Sequence, residues 1–420
     1  MSAPLGFALV GCGMIARFHA RALAEIPGAR VAGLPPTAGF TFLHVLLWLI
    51  VGASVATSRD PVTSARVRPD GASVWLTLLV LLSPALWWLD KVHAELFVWS
   101  GVTLAVASLT SSPALSAVAF GAAATQNPAV AAAWPVMAAG AVWRAWELGR
   151  WRDVRLVAGL VAGAILTGLP VAYSWLRFGL LTPLSLWTTP HRPEAREIVA
   201  LLIDPNIGFV PTAPFLVLTG LTAVAGIAAA RPRALWRAEL VTPVACAAIT
   251  LGAMTQTTNI NHGGTPGMNR HLLTLIPLVI PAVRIAVALR APRTSAFAAL
   301  AFASVVWSAW WTAPARPEIY RHPTALADYL WREHPGWLNP PPEVFAERVS
   351  HLEPPPVPVA TPGCAKVLLS AGRWPAECPA MTAGTPGECY GRDYVCYANR
   401  TPLGYDFVRV GRWTGGVTAQ

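Results

Sequence analysis

Two stretches of this chain bring together residue types that chemistry uses. Gly11-Cys12-Gly13-Met14-Ile15-Ala16 follows a short apolar run at 7–10 and leads into a helix-forming run at 16–26, with a second strand-like run at 29–34. Strand, glycine turn and helix in that order make a dinucleotide-binding unit, in which Gly11, Gly13 and Ala16 let a pyrophosphate approach the helix N-terminus. The second stretch holds Cys364, Cys378, Cys389 and Cys396. In an oxidising compartment four clustered cysteines imply two disulfides, with three pairings open. Zinc is the other reading, but the spacings contain no Cys-x-x-Cys pair, so disulfides are expected. Polar islands also break the apolar sequence at Asp90-Lys91-Val92-His93-Ala94-Glu95, at Asp204-Pro205-Asn206-Ile207-Gly208, and from Asn259 to His271.

The elements that must position these residues are apolar and long. Of the 420 residues, 54% are hydrophobic and 12% are charged, and the mean hydropathy is +0.49. Soluble domains carry roughly a quarter charged residues. Uncharged runs at 156–176, 208–230, 240–256 and 272–283 alternate with arginine clusters around Arg144–Arg155, Arg231–Arg237 and Arg284–Arg293. An apolar run of about 20 residues crosses the hydrocarbon core as a helix. The sequence therefore reads as an all-α polytopic membrane protein of about eight to ten transmembrane helices. The net charge of +10 does not imply nucleic acid as a partner, because the arginines stand at span ends and the aromatics are not interleaved with them. Nineteen tryptophans suit an interfacial belt.

Orientation follows from the arginines, since basic short loops stay in the cytoplasm. Further spans are expected at 40–57, 74–89, 96–110, 114–125, 129–143 and 296–312. Alternating sides then puts 90–95, 177–206, 257–270 and the tail outside. The expected location is a bacterial cytoplasmic (inner) membrane, multi-pass, with the C-terminus extracytoplasmic, where disulfides form. Three domains are expected: a partial Rossmann-like fragment at 1–34, a transmembrane helical domain at 35–313, and a small cysteine-containing domain at 314–420. In the last, 323–334 reads as a helix, and 367–370 and 407–410 read as strands. Disulfides would stabilise so small a domain.

The segment Gly11–Ala16, with His19-Ala20-Arg21-Ala22-Leu23 and Ile26-Pro27-Gly28-Ala29, closely resembles the N-terminus of the glucose–fructose oxidoreductase / inositol dehydrogenase (Gfo/Idh/MocA) family. That resemblance implies an NAD(P)-dependent oxidoreductase, but it covers about 34 residues. The acidic residue expected after the second strand is replaced by Pro35-Pro36, and the family's Glu-Lys-Pro motif is absent. The fragment thus reads as a non-functional remnant standing where a first span and outer loop belong, and NAD(P) binding is not expected.

The loop Gly263-Gly264-Thr265-Pro266-Gly267-Met268-Asn269-Arg270, running into the Leu/Pro-rich 271–281, resembles that of bacterial polytopic glycosyltransferases of the C fold type. The Asp204-Pro205-Asn206 segment and Pro341–Arg348 resemble other regions of those proteins and their uncharacterised relatives. Together these cover about residues 72–370. The resemblance implies a sugar transferase that uses a polyprenyl-phosphate donor on the outer face, with membrane lipid as its surroundings. Its implied roles are Glu95, Asp204 and His93 as catalytic groups, and Arg270 and His271 as phosphate-binding groups; a divalent metal ion is a candidate cofactor. A guanidinium holds phosphate oxygens bidentately, and a carboxylate takes the acceptor's proton. The other reading of Glu95 is a helix-surface pair with Lys91. The family's main catalytic aspartate lies in a first outer loop with no counterpart here, which leaves open a truncated, inactive form. The rival readings are the oxidoreductase fragment fused to a membrane protein, and a non-enzymatic membrane protein.

Overall fold

The computed structural model describes residues 5–8, 29–33, 37–57, 71–91, 93–181, 195–256, 260, 267–290, 294–312, 321–352, 355–370, 373–378 and 394–412. In chain order the helices are α1 (Thr37–Thr57), α2 (Gly71–Leu81), α3 (Glu95–Leu109), α4 (Pro113–Ala124), α5 (Pro128–Glu147), α6 (Val154–Phe178), α7 (Ala195–Ile203), α8 (Phe209–Thr212), α9 (Pro214–Ala230), α10 (Ala238–Met254), α11 (Val279–Ala288), α12 (Thr294–Thr312), α13 (Ala325–Glu333) and α14 (Pro342–Ser350). The strands are β1 (Leu5–Ala8), β2 (Ala29–Gly33), β3 (Val359–Ala360), β4 (Lys366–Ser370), β5 (Tyr394–Thr401) and β6 (Gly404–Arg412). They form two compact units: Met1–Tyr173 with Phe215–Ala247 and Leu273–Ala309, and Ser174–Pro214 with Ala248–Leu272 and Trp310–Gln420.

In the first unit β1 and β2 pair in parallel, as a strand–crossover–strand unit requires. Among the described residues this sheet has those two strands, and Gly11, Gly13 and Ala16 lie outside the described residues. The helices begin where the chemistry dictates. Pro113 and Pro128 open α4 and α5, because a first-turn residue has no need of its N–H. Asn127 caps α5, its Oδ1 accepting from Ala129 N at 2.9 Å.

Three expected continuous spans are broken, each at a proline. The run at 74–89 stops as a helix at Leu81 and continues as a 3-10 turn, Pro84–Trp88, capped by Ser83. The run at 208–230 is divided between α8 and α9, the latter opening at Pro214. The run at 272–283 starts as the 3-10 helix Arg270–Leu278, which contains Pro277, before α11. A proline ring clashes with the preceding turn and supplies no donor, so uninterrupted α-helix is not available there.

Small residues set the closest helix approach. The α6 pair Gly159 and Gly163 lies against Ala114, Ala117 and Gly121 of α4; a Cβ on Gly121 would sit 2.5 Å from Gly163 O, and one on Gly159 2.6 Å from Ala114 O. Small residues at this spacing let the two helix backbones approach closely. The opposite side of α6 exposes Val154, Val157, Val161, Ile165 and Leu169.

Among the described residues two helical segments are long and apolar enough to cross a membrane, Val154–Phe178 and Arg270–Ala288. Seven shorter apolar helices of 10–17 residues accompany them. In the first long segment 17% of the 18-residue apolar window is buried, against 72% in the second. The first is therefore not a core helix.

The second unit contains a four-stranded antiparallel sheet in the order β3-β4-β5-β6, so the chain is mostly helical rather than all-α. The expected strands at 367–370 and 407–410 are parts of β4 and β6, and the expected helix at 323–334 is α13. Side chains alternate across the sheet. Leu368, Val395, Tyr397 and Val410 face a core with Trp331 of α13 and Phe345 of α14. Val367, Leu369 and Ala398 face the other way, onto Cys364 and Cys378.

Candidate functional site

The first candidate group belongs to the first unit. Glu95 opens α3, where the N-terminal end of the helix dipole favours a negative charge. Its buried carboxylate pairs with His93 Nδ1, and the imidazole stands edge-on to Trp88 with centroids 5.3 Å apart. The expected Lys91–Glu95 pair is not formed. Lys91 instead bonds Asp90 at 2.7 Å and lies over the Trp87 ring at 4.4 Å. Asp90, Lys91, His93 and Ala94 are in turn or bend rather than helix, so Lys91 and Glu95 do not share a helix face. A carboxylate joined to an imidazole is a proton-handling pair.

The second group belongs to the second unit and is built around the turn after α7. Asp204 Oδ1 accepts from Asn206 N at 2.7 Å, and Asp204 O accepts from Gly208 N at 2.7 Å. A Cβ on Gly208 would fall 2.5 Å from that carbonyl, so the turn needs glycine there. Asn269 N donates to Ile207 O at 2.8 Å, and Thr212 Oγ1 donates to Gly267 O. Asn269 Oδ1 in turn accepts from His271 N at 2.9 Å, and its amide donates to Ile260 O at 2.8 Å. These bonds hold the two expected outer loops together and set Arg270 and His271, both half-buried, at the start of the 3-10 helix.

Asp204 itself is sealed in, at 2% exposure, and among the described residues its Oδ2 has no hydrogen-bond partner. Burial raises its carboxyl to about 6, against the pull of the Arg348 charge and of its bonds to Asn206. The Tyr397 phenol is pushed upward, first by burial and then by the charge of Asp204. Asn206 Oδ1 accepts from Thr324 N at 3.0 Å. Asn206 thus ties the loop to the tail, and Asp204 shapes the turn that carries it.

Sequence reasoning passed over two buried charges. Lys366, on β4, is fully buried and donates to Pro335 O at 2.7 Å, to Asn399 Oδ1 at 2.5 Å and to Asn339 Oδ1. It lies 4.3 Å from the Tyr397 ring, and burial pushes the ammonium down to about 7. Its signal was its rarity, since Lys91 is the other lysine of the chain. Arg144, 2% exposed at the end of α5, bonds Glu239 at 2.9 Å, Glu147 at 2.9 Å and Thr110 O at 3.1 Å. Glu239, in the first turn of α10, is fully buried.

Cys364 and Cys378 are disulfide-bonded, which selects one pairing of the three. Cys396 is also in a disulfide, and Cys389 lies outside the described residues. Among the described residues no three His, Cys, Asp or Glu are grouped to hold a metal ion. The Glu95–His93 pair offers two such donors. No family model, curated protein or solved structure matches this chain.

Proposed function

We propose that this chain is a multi-pass membrane protein that transfers sugar from a polyprenyl-phosphate donor on the outer face of the membrane, with its tail on that same face. One observation carries this reading. Of the stretches that alternating spans put outside, 177–206, 257–270 and the tail supply most of a single compact unit, tied together by Asn206 with Thr324 and by Asn269 with Ile207, while 90–95 belongs to the other unit. Membrane placement is further supported by apolar side chains exposed along α6 and by its glycine seam.

In the reaction, an acceptor hydroxyl oxygen bonds to the anomeric carbon as the bond from that carbon to the phosphate oxygen breaks. The acceptor's proton goes to a carboxylate, and polyprenyl phosphate departs with the bonding pair. Arg270 and His271 neutralise the phosphate. Glu95, paired with His93, and Asp204 are the two candidate carboxylates, and both are buried.

The test is release of polyprenyl phosphate by the protein in nanodiscs supplied with polyprenyl-phosphate-linked hexoses. Arg270→Ala and His271→Ala are each expected to lower the rate about a hundredfold. No release by the unaltered protein, or rates in both variants equal to that of the unaltered protein, overturns the reading. A phosphatase reporter fused to the C-terminus should be active in intact cells; a reporter active only as a cytosolic fusion reverses the orientation.

A second reading is favoured by the parallel pairing of β1 and β2. It takes residues 1–34 as the start of a working dinucleotide site, and equilibrium binding of NAD(H) to the purified protein decides it.

A further inference from the structure

The second unit displays an aromatic face outside the groups described above. Trp337 ends the short 3-10 turn Pro335–Trp337 and is 77% exposed. The His334 imidazole stacks on its indole, centroids 4.2 Å apart and planes 17° apart. Tyr329, 53% exposed, meets the same imidazole edge-on at 5.7 Å, its hydroxyl 3.5 Å from Nε2. One face of the indole is thereby backed and the other left open.

The turn that carries this face is tied down by hydrogen bonds on both sides of Trp337. Lys366 Nζ, buried beneath it, donates to Pro335 O at 2.7 Å and to Asn339 Oδ1, so the ammonium grips the turn on both sides of Trp337. Trp337 N bonds His334 O at 2.9 Å, and Leu338 packs on the core. The ring is held before any ligand arrives, which lowers the ordering cost of binding.

The rim is polar. At 100° per residue, Asp328, Arg332, Tyr329 and Glu333 follow one another around the solvent side of α13, opposite buried Ala327 and Trp331. Arg332 Nε bonds Asp328 Oδ1 at 2.9 Å. A hydrocarbon partner would cover the indole and strip water from these charges without replacing it. A pyranose suits both parts, because its C–H face lies on an aromatic ring while its hydroxyls reach donors and acceptors at the edge.

We infer that Trp337, backed by His334 and flanked by Tyr329, is a carbohydrate-binding platform on the tail, and that Lys366 is its positioning residue. This holds whether or not the chain transfers sugars. The test uses the full chain in nanodiscs and a panel of neutral tetrasaccharides of glucose, mannose, galactose and N-acetylglucosamine, read by saturation-transfer NMR and by titration. At least one should bind, and Trp337→Ala should weaken it about tenfold, as loss of a stacked anchor does. Trp337→Phe should keep most of the affinity, and Trp236→Ala, an exposed tryptophan of the other unit, should change nothing. Lys366→Met should weaken binding while leaving the Cys364–Cys378 disulfide intact on non-reducing mass mapping, which separates a loosened mount from an unfolded tail. Absence of binding across the panel, or equal affinity in Trp337→Ala, overturns the inference. Quenching by spin-labelled lipid of a fluorophore placed at Trp337→Cys would also overturn it, marking the face as a membrane anchor.

Discussion

Asn206 Oδ1 accepts a hydrogen bond at 3.0 Å from the backbone N–H of Thr324, 118 positions further along the chain. Thr324 caps α13 with its own hydroxyl, which accepts from Ala327 N. One side chain therefore joins an interhelical turn to the first helix of the tail. Asn206→Ala should lower the stability of the solubilised protein by about 1–2 kcal/mol, the cost of a lost partner for a half-buried amide. Asn206→Asp, which keeps the acceptor oxygen, should recover most of it. Thermal unfolding followed by protease resistance of the tail measures both.

Asp204 lies two residues earlier and makes stability depend on pH. Its folded value of about 6 stands above the ordinary 3.8, so between these values the folded state holds a proton that the unfolded chain has released. Stability should therefore fall as pH rises through that window and level off above about pH 6. The Arg348 charge opposes the shift, and the Tyr397 ring lies within reach of the carboxylate's field. Asp204→Asn, which can still accept from Asn206 N, should flatten the slope and stabilise the protein at neutral pH by on the order of 2–3 kcal/mol. Melting temperatures of the two proteins from about pH 4 to about pH 8 decide it; parallel curves would refute the assignment.

Arg144 and Glu239 test the other unit. Each is buried, and their bond of 2.9 Å is reinforced by Glu147 and by the Thr110 carbonyl. Glu239→Ala leaves a buried guanidinium short of a counter-charge and should destabilise by about 3–5 kcal/mol. Replacing both, as Arg144→Met with Glu239→Leu, should cost far less than the single change, since the charges left behind, Glu147 and Arg237, reach solvent. The comparison by chemical or thermal unfolding is a double-mutant cycle, and additive losses would count against the pair.

The Cys364–Cys378 bond closes a loop of sequence separation 14. Removing it with Cys378→Ser should cost about 3 kcal/mol, the loop-closure entropy returned to the unfolded chain. The sheet it backs should become protease-sensitive, while the helices of the first unit stay protected. Limited proteolysis with mass mapping distinguishes this from a general loss of fold.

Much of the fold was legible in sequence because it is local. The apolar runs, their flanking arginines and Pro113, Pro128 and Pro214 place most helices to within a few residues, since a helix bonds within four residues of itself. The parallel pairing of 5–8 with 29–33 was legible from the glycine turn between them. Strand β5 was not, because Tyr-Val-Cys-Tyr-Ala-Asn-Arg-Thr has no clean alternation, and its register is set by β4 and β6 on either side. The site was legible only as a set of polar residues. Sequence offered Lys91 as the partner of Glu95, and the fold offered His93.

By itself, then, the sequence determined a helical chain rich in apolar faces, a cysteine-bearing tail, and the loops that hold its few polar groups. Tertiary structure alone decided that Asp204 is enclosed, that Asn206 reaches Thr324, that Arg144 finds Glu239, and that Lys366 grips the turn beneath Trp337. The reason is physical. Helix formation and disulfide chemistry depend on residue types along the chain, whereas burial of a charge depends on which distant segments surround it, and no spacing in the sequence encodes that distance.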